Sequence, residues 1–500
     1  MSTPSHITPS RLWPLLTGLL SASLCYGLTT VAFAQSEAIG IVVAVTVLCA
    51  LWWALEPIPI PVTALIPLAI FPLTGVLSRE QVAAALGHQV NLLLLGGFVL
   101  SLAMERSEAH ARLADRLLRA IAGGAETISA RRVIAAFMVV AAAISMWISN
   151  AAATIMLLPV ALAIVKSVAG PEQVHGGKAI ADSRLLIPLL LGICYAASIG
   201  GLGTPIGTPA NLVFISVYEA EFGIEVSFIR WMSWALPVVA LMLPLAIIWM
   251  SRHVDRGIRL RLAPPQPMNS WQKRILWVFL ITAGLWITRT EPFGGWRAWL
   301  ELPEASDASV ALLAVIALCL LPRGGKPEEH AGLENGGDNR GEISRKPLFL
   351  WEYARDLPWG ILLLFSGGIA LAIAFKASGL SALIASGFAG VGQLPIWLII
   401  LSIALLVTFL TEVSSNTATT SLLMPVLASV AIASGVDGLV LMLPAALSAS
   451  FAFMMPVATA PNAVIFGSGK VPIKAMIRYG LILNFIGAAV IFAYSSLVLS

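Results

Sequence analysis

Charge is what this sequence lacks: 11% of its 500 residues are Asp, Glu, Lys or Arg, whereas 58% are hydrophobic. A soluble domain carries about a quarter of its residues as charges, so a water-soluble globular protein is excluded. Apolar stretches of about 20 residues recur along the chain, which is the length that an α-helix needs to cross roughly 30 Å of hydrocarbon. Since these runs are too long for strands, the sequence predicts an all-α polytopic membrane protein.

Cysteine and histidine are also scarce. The four cysteines lie in apolar segments without a CxxC pair, so we expect neither a disulfide nor a metal cluster. None of the six histidines lies beside a membrane serine or a carboxylate pair. An intramembrane enzyme needs a nucleophile with a base, or a bound metal, so the sequence predicts no catalytic residue and no enzyme.

The placement of the few charges predicts the topology. Lys and Arg concentrate in residues 252–274, whereas residues 218–227 and 289–307 are acidic, which places the first loop in the cytoplasm and the other two in the periplasm of a bacterial inner membrane. Residues 1–36 form an uncleaved first helix or, alternatively, a signal peptide with an A-x-A site. With the N-terminus inside and the C-terminus outside, eleven spans fit the charges: 12–34, 38–55, 61–77, 86–104, 185–217, 228–251, 275–289, 307–322, 358–376, 438–469 and 479–499.

Two further apolar stretches, residues 133–165 and 394–433, do not fit this alternation. Each is longer than one span needs, and the basic residues that flank the first stretch place both of its ends on one side of the membrane. A re-entrant hairpin resolves the conflict, because an arm of about 16 residues at a rise of 1.5 Å per residue reaches roughly 24 Å into the bilayer and can turn back. Residues 105–121 form either an amphipathic helix on the inner surface or an ordinary solvated helix.

The two halves of the chain repeat each other. Gly96-Gly97 matches Gly367-Gly368, Ser149-Asn150 lies nine residues before a proline just as Ser415-Asn416 does, and a Thr-Pro-Ala-Asn run at 208–211 matches Thr-Ala-Pro-Asn at 459–462. The first copy starts outside and the second inside, so we predict inverted repeats at residues 37–255 and 271–500, with a cytoplasmic linker at 323–357.

Each predicted hairpin has a polar turn. Hydroxyl and amide groups at membrane depth are costly unless they are paired or line a cavity, and helix packing is the ordinary explanation for an isolated Ser or Thr. Two Ser-Asn pairs at matched positions favour a binding site instead. Where a hairpin turns, the second arm presents free N–H groups to an anion, and the first arm presents free carbonyls to a cation. Glycine and proline at 198–209 and at 456–461 break two more helices, which frees further carbonyls.

The Ser-Asn-Thr-Ala-Thr run at 415–419, its weaker partner at 149–153, Gly-Thr-Pro-Ala-Asn at 207–211 and Met-Pro-Val-Ala-Thr-Ala-Pro-Asn at 455–462 resemble the divalent anion:sodium symporter family, the INDY-type carriers. The resemblance covers nearly the whole chain. It implies a homodimer that imports a dicarboxylate such as succinate, a tricarboxylate or sulfate with sodium ions by an elevator mechanism. Scaffold helices at 37–125 and 271–390 would then alternate with transport segments at 126–255 and 391–500.

The resemblance also implies the ligands. Matched by position, the substrate would contact Asn150, Asn416, Thr417 and Thr459. One sodium site would use Ser145, Ser149, Asn150 and a carbonyl near Gly200 or Gly201, and the other Thr411, Ser414, Asn416 and the carbonyl near Ala458.

The sequence departs from the family pattern in two places. Ala151 stands where the family usually has Thr, which removes one hydroxyl donor from the substrate, and Ala460 stands where dicarboxylate carriers often have Pro. Glu412, the acidic residue predicted at depth, is either a coupling group or a structural partner of a backbone N–H. A sodium-independent or proton-coupled anion exchanger of the same fold remains the alternative to sodium symport.

Overall fold

The computed structural model describes residues 9–122, 127–168, 178–252, 254, 259–261, 267–325, 344–388 and 393–499. The first half contains α1 Pro9–Gly27, α2 Glu37–Leu55, α3 Ile60–Thr63, α4 Leu65–Leu73, α5 Arg79–Leu86, α6 Gln89–Arg106, α7 Ala109–Ala122, α8 Ala130–Ser145, α9 Asn150–Val168, α10 Lys178–Gly201, α11 Pro209–Phe222 and α12 Phe228–Ser251. The second half contains α13 Ser270–Ile287, α14 Gly295–Trp299, α15 Asp307–Leu320, α16 Trp359–Ser378, α17 Leu380–Phe388, α18 Ile396–Leu410, α19 Asn416–Ser434, α20 Gly438–Ala449, α21 Ala460–Gly467 and α22 Ile473–Val498. A π-helical turn at Leu28–Ala32 and a 3-10 helix at Trp351–Asp356 complete the helical elements.

Apolar helices dominate the described part of the chain and confirm the predicted all-α class. Seven of them are long and apolar enough to cross a membrane: Leu12–Ala32, Glu37–Leu55, Arg79–Arg106, Phe228–Ser251, Trp359–Ser378, Asn416–Ser434 and Ile473–Val498. Six shorter apolar helices lie between them. The number of spans, predicted as eleven, stays a prediction, as do the re-entrant course of the two hairpins and the orientation in the membrane.

Three of the predicted spans are interrupted. The span at 185–217 divides into α10 and α11 around residues 202–208, named the first break, and the span at 438–469 divides into α20 and α21 around residues 450–459, named the second break. The span at 61–77 divides into α3 and α4. Part of the predicted linker, residues 326–343, lies outside the described residues, as do residues 1–8.

A short antiparallel sheet, which the all-α prediction did not include, joins the two basic segments. Strand β1, Thr127–Ser129, pairs with strand β2, Arg259–Arg261, and Ile128 lies opposite Leu260. Arg131 at the start of α8 donates hydrogen bonds to the carbonyls of Val254 (2.9 Å) and Arg252 (3.0 Å). The start of α8 and the loop after α12 therefore lie together, which agrees with their predicted location on one side of the membrane.

The two acidic loops also meet. Arg289 is buried and pairs with Asp307 (2.6 Å) and with Glu225 (2.7 Å), which in turn pairs with Arg297 (3.0 Å). Glu219 lies beyond the end of the predicted span at 185–217, and its carboxylate accepts a hydrogen bond from the backbone N–H of Val226 at 2.8 Å. Burial raises the pKa of the Glu219 carboxyl to about 7, and the nearby carboxylates of Glu225 and Asp307 add to the effect.

The helices of the two halves pack in the same order. In the first half α10 packs against α8, α9 and α12, and in the second half α20 packs against α18, α19 and α22. Contacts between the halves also correspond, since α11 packs on α19 and α20 while α21 packs on α9 and α10. These paired contacts bring the two predicted hairpins and the two breaks to one central region.

Candidate substrate and ion site

The turn between α8 and α9, named tip 1 and comprising residues 145–151, is organised around Asn150. Ser145, the last residue of α8, is buried, and its Oγ lies 2.5 Å from the side-chain amide of Asn150. With its amide nitrogen directed at the neighbouring carbonyls, Asn150 donates to Gly207 O (3.2 Å) and to Ala197 O (3.3 Å). Ser149 is exposed, and its Oγ accepts from Ala152 N (3.2 Å) at the start of α9. Tip 1 is therefore tied to the end of α10 and to the first break.

Gly200 and Gly201 permit this approach. A Cβ at Gly200 would overlap the backbone of Ala142, and one at Gly201 would overlap the side-chain amide of Asn150. The Gly200 carbonyl accepts the N–H of Gly203 (2.8 Å), and the Gly201 carbonyl accepts the Asn211 amide (3.0 Å). Glycine is therefore needed here to bring two backbones together.

The turn between α18 and α19, named tip 2 and comprising residues 411–417, carries more hydroxyls. Thr411 is buried and donates to Ala449 O (2.9 Å) at the end of α20. Ser414 Oγ lies 2.6 Å from Thr419 Oγ1. The Asn416 side chain donates to Thr208 Oγ1 (3.4 Å) in the first break and accepts from Thr417 N (2.8 Å). Tip 2 therefore contacts the first break through an amide-to-hydroxyl bond between the two halves.

Two buried asparagines hold the breaks in the same way. Asn211 Nδ2 donates to the carbonyls of Gly201 (3.0 Å) and Thr204 (2.8 Å), and Asn462 Nδ2 donates to those of Ala452 (3.0 Å) and Met455 (3.0 Å). Each asparagine satisfies carbonyls that the interrupted helix can no longer pair. The matched sequence runs at 208–211 and 459–462 therefore have matched structural roles.

Glu412, on the side of tip 2 away from the cavity, contacts the second break. Its Oε1 accepts from Phe453 N (2.7 Å) and Met454 N (2.8 Å), and its Oε2 accepts from Met455 N (2.8 Å). Asn484 Nδ2 on α22 donates to Oε1 at 2.6 Å. Of the two interpretations of Glu412, the geometry matches a partner of backbone N–H groups.

Both tips and both breaks line one cavity of about 680 Å³. These four segments contribute Ser149, Asn150, Gly207, Thr208, Ser415, Asn416, Thr417, Ala458 and Thr459 to its wall. The cavity continues along α6 to Glu105 and along the start of α16 to Asp356 and Pro358.

Helix ends, rather than cationic side chains, supply the positive potential at the tips and breaks, while the carboxylates of Glu105 and Asp356 lie where the cavity continues along α6 and the start of α16. Helices α9, α11, α19 and α21 begin at its wall, at Asn150, Pro209, Asn416 and Ala460, and their N-terminal N–H groups carry partial positive charge. No Lys or Arg is among the described residues that line the cavity. Helices α8, α10, α18 and α20 end close behind it, at Ser145, Gly201, Leu410 and Ala449, and present carbonyls. Anion-binding and cation-binding groups therefore lie side by side.

The residues predicted for the site divide into two sets. Those predicted for the substrate, Asn150, Asn416, Thr417 and Thr459, all line the cavity, as do Ser149 and Ala458. The other predicted sodium ligands, Ser145, Gly200, Gly201, Thr411 and Ser414, are not among its lining residues and lie behind the cavity wall.

Gly207 and Thr208 line the cavity and were not among the predicted ligands. They are the counterparts of Ala458 and Thr459 when the two runs are aligned on Asn211 and Asn462. That internal symmetry, visible in the sequence, was the signal that could have identified them.

A family model of the sodium:sulfate symporter transmembrane region matches residues 20–498 of this chain. The chain belongs to this family. Membership confirms the resemblance to the divalent anion:sodium symporters, and it makes the chain a multi-pass membrane transporter coupled to sodium rather than an enzyme.

Two curated relatives are similar over nearly the full length. The sodium-dependent dicarboxylate transporter SdcS of Staphylococcus saprophyticus is 37% identical over 95% of this chain and 90% of the relative. The SdcS protein of Staphylococcus aureus strain USA300 is 35% identical over 95% of this chain and 89% of the relative.

Two solved transporters share the fold at low sequence identity. The YdaH transporter of Alcanivorax borkumensis aligns with a TM-score of 0.59 at 14% identity, over 99% of both chains. MtrF of Neisseria gonorrhoeae aligns with a TM-score of 0.51 at 12% identity, over 85% of this chain and 83% of the neighbour. These likenesses concern the fold alone, and they support the polytopic all-α class.

Proposed function

We propose that this protein imports a small divalent anion, a dicarboxylate such as succinate, together with sodium ions across the bacterial inner membrane. The observation that carries the proposal is the convergence of four helix N-termini and four hydroxyl or amide side chains, Asn150, Asn416, Thr417 and Thr459, on one cavity. An anion held in this way is bound by neutral donors and helix dipoles. The full-length similarity to sodium-dependent dicarboxylate transporters supports the choice of substrate.

The sodium ions would lie at the two tips, behind the wall of the cavity. In the first site Ser145, Ser149 and Asn150 would supply oxygens, with Asn150 turning its amide oxygen toward the ion, and the Gly207 carbonyl, which lies 3.2 Å from the Asn150 amide, joins the carbonyls of Gly200 and Gly201 as a candidate. In the second site Thr411, Ser414, Asn416 and the Ala458 carbonyl are the candidates. Sodium bound there would offset the negative charge of the substrate in the adjoining cavity.

Movement would follow the predicted division into scaffold segments, 37–125 and 271–390, and transport segments, 126–255 and 391–500. The cavity extends to Glu105 and to Asp356 and Leu357, which lie at the end of the linker predicted to be cytoplasmic. We assign this arrangement to an inward-open state of an elevator cycle. The assignment to a homodimer rests on the family resemblance alone and is tested by the mass of the purified protein in detergent.

Uptake into proteoliposomes tests the function. Succinate, citrate and sulfate are offered separately under an inward sodium gradient, a proton gradient or no gradient. The proposal expects succinate uptake that requires sodium and is lost when choline replaces it. Counterflow that proceeds equally well without sodium would establish the exchanger instead.

A further inference from the structure

Glu412 is a buried carboxyl group. Its relative exposure is 3%, and its two carboxylate oxygens accept four hydrogen bonds, from three successive backbone N–H groups and from Asn484. A protonated carboxyl would turn one oxygen into a donor and set its hydrogen against one of these N–H groups. The four donors therefore stabilise the ionised form.

This charge has no cationic side chain as a partner. The ion pairs formed among the described residues do not include Glu412. The groups packed around it are neutral: Asn484 on α22, the backbone at 453–455, and Tyr195 on α10, whose ring contacts that of Phe453 at 5.2 Å. A buried charge without a counter-charge is costly, and a cation bound nearby would offset that cost.

The matched position in the first half shows that the charge is not needed to hold a break. Met146 stands there, and its carbonyl accepts a hydrogen bond from the hydroxyl of Thr204. Thr204 corresponds to Met455, one of the residues that donate to Glu412. The first half thus joins tip to break with neutral groups, whereas the second half uses a carboxylate for the same connection.

Two of the proposed sodium ligands are connected to this carboxylate through the backbone. Thr411 directly precedes Glu412 in the chain. Ala458 follows residues 453–455, whose N–H groups donate to Glu412, and the Ala458 N–H donates to Met455 O (3.3 Å). Glu412 therefore holds the backbone segment that leads to Ala458, and it is the chain neighbour of Thr411. Glu412 itself does not line the cavity.

We propose that Glu412 is a positioning residue that gives the sodium site of tip 2 its counter-charge and its fixed carbonyls, so that this site binds sodium more tightly than the site of tip 1. The inference rests on the proposed sodium coupling. It ranks the two sodium sites by affinity, a difference that the near-symmetry of their backbones does not provide.

Sodium-dependent thermal stabilisation of the purified protein, measured without substrate, tests the proposal, because a bound ion stabilises the folded state. In E412Q we expect the sodium concentration for half-maximal stabilisation to rise about tenfold, while E412D, which keeps the charge, stays closer to the unsubstituted protein. Thr204→Val, the matched control, removes the neutral connection of tip 1 and should leave that concentration within about twofold. An unchanged value in folded E412Q overturns the proposal.

A second pair of variants keeps Glu412 intact, in case E412Q does not fold. Ser414→Ala at tip 2 should raise the half-maximal sodium concentration of the tighter, low-concentration phase, whereas Ser145→Ala at tip 1 should affect only the weaker phase. The reverse pattern, or equal effects, overturns the proposal. Failure of sodium to stabilise the unsubstituted protein more than potassium would instead refute the sodium coupling on which the inference rests.

Discussion

Tip 1 and tip 2 each begin a 19-residue helix with an asparagine, Asn150 in one half and Asn416 in the other. The hydroxyls of Thr154 and Thr420, each four residues further on, donate back to the carbonyls of these asparagines at 2.9 and 2.8 Å. Backbone course and local hydrogen bonding are therefore alike in the two tips.

Their chemistry differs. At four matched positions tip 1 and the first turn of its helix have Met146, Ile148, Ala151 and Ala153 where tip 2 has Glu412, Ser414, Thr417 and Thr419. Asn211 and Asn462, whose amides donate to carbonyls of the two breaks and which we name the clamps, are present at matched positions in both halves. The comparison indicates that the clamps maintain the fold, whereas the polar groups of the binding site are concentrated in tip 2.

The largest effect is expected from truncating the asparagines of the tips. Asn416→Ala removes the donor to Thr208 and an oxygen from both the substrate and the sodium candidates, so we expect the ratio kcat/KM for succinate to fall about 100-fold. Asn150→Ala should lower it about tenfold, because its amide is directed mainly at the carbonyls of Gly207 and Ala197. Initial uptake rates in proteoliposomes measure both. Normal uptake in both variants would refute the site.

The clamps of the breaks should differ in their contribution to stability. Asn211→Ala leaves buried carbonyls unpaired, and we expect it to lower the free energy of unfolding by about 2–3 kcal/mol. Asn462→Ala should cost about 1 kcal/mol less, because Glu412 continues to hold the second break. Thermal unfolding in detergent compares the two variants. A larger loss in Asn462→Ala would contradict this account of the second break.

The third position of the two tips tests the difference in hydroxyl content. Thr417→Ala should raise the KM for succinate about tenfold, because it removes a donor from the cavity wall. Ala151→Thr adds the missing donor and should lower that KM about threefold. Ala151→Val, which has the same shape without the hydroxyl, is the control. If the Val variant lowers KM as much as the Thr variant, hydrogen bonding is not the cause.

The smallest effect concerns the C-terminal ends of α11 and α21. Glu219, near the end of α11, corresponds to the exposed Lys470, which follows α21. The raised pKa of Glu219, about 7 against 4.5 unperturbed, means that the folded state binds a proton that the unfolded state has lost, so stability falls as pH rises from about 5 to 7. Glu219→Gln should reduce this decline by about 1 kcal/mol, as thermal unfolding at pH 5 and pH 8 would reveal. Lys470→Gln, the matched control, should keep the decline of the unsubstituted protein.

Much of the arrangement could be predicted from residues alone. The Ser-Asn pairs and the Thr-Pro-Ala-Asn and Thr-Ala-Pro-Asn runs stand in the same order in both halves, and the structure brings all four segments to one cavity. The spans at 185–217 and 438–469 are interrupted, as the prolines and glycines within them indicated. The short sheet between residues 127–129 and 259–261 gave no pattern, because three residues are too few for an alternation to be recognised.

The partners of Glu412 and Asn150 could not be predicted. The first backbone N–H that donates to Glu412 belongs to a residue 41 positions later in the chain. Asn150 contacts the Gly207 carbonyl across an interrupted helix. Contacts of this kind depend on where each helix stops and on how two helix ends are packed, which no local pattern encodes.

The sequence by itself determined the lipid environment, the helical class, the family and the paired polar motifs, because composition, apolar length and short motifs are local properties of the chain. Only the tertiary structure decided which ends of which helices converge, that Thr208 and Gly207 join the cavity, and that a buried carboxylate holds the second break but not the first. The physical reason is that backbone N–H and carbonyl groups, identical in every residue, acquire a role only when an interrupted helix leaves them free and packing brings a partner to them.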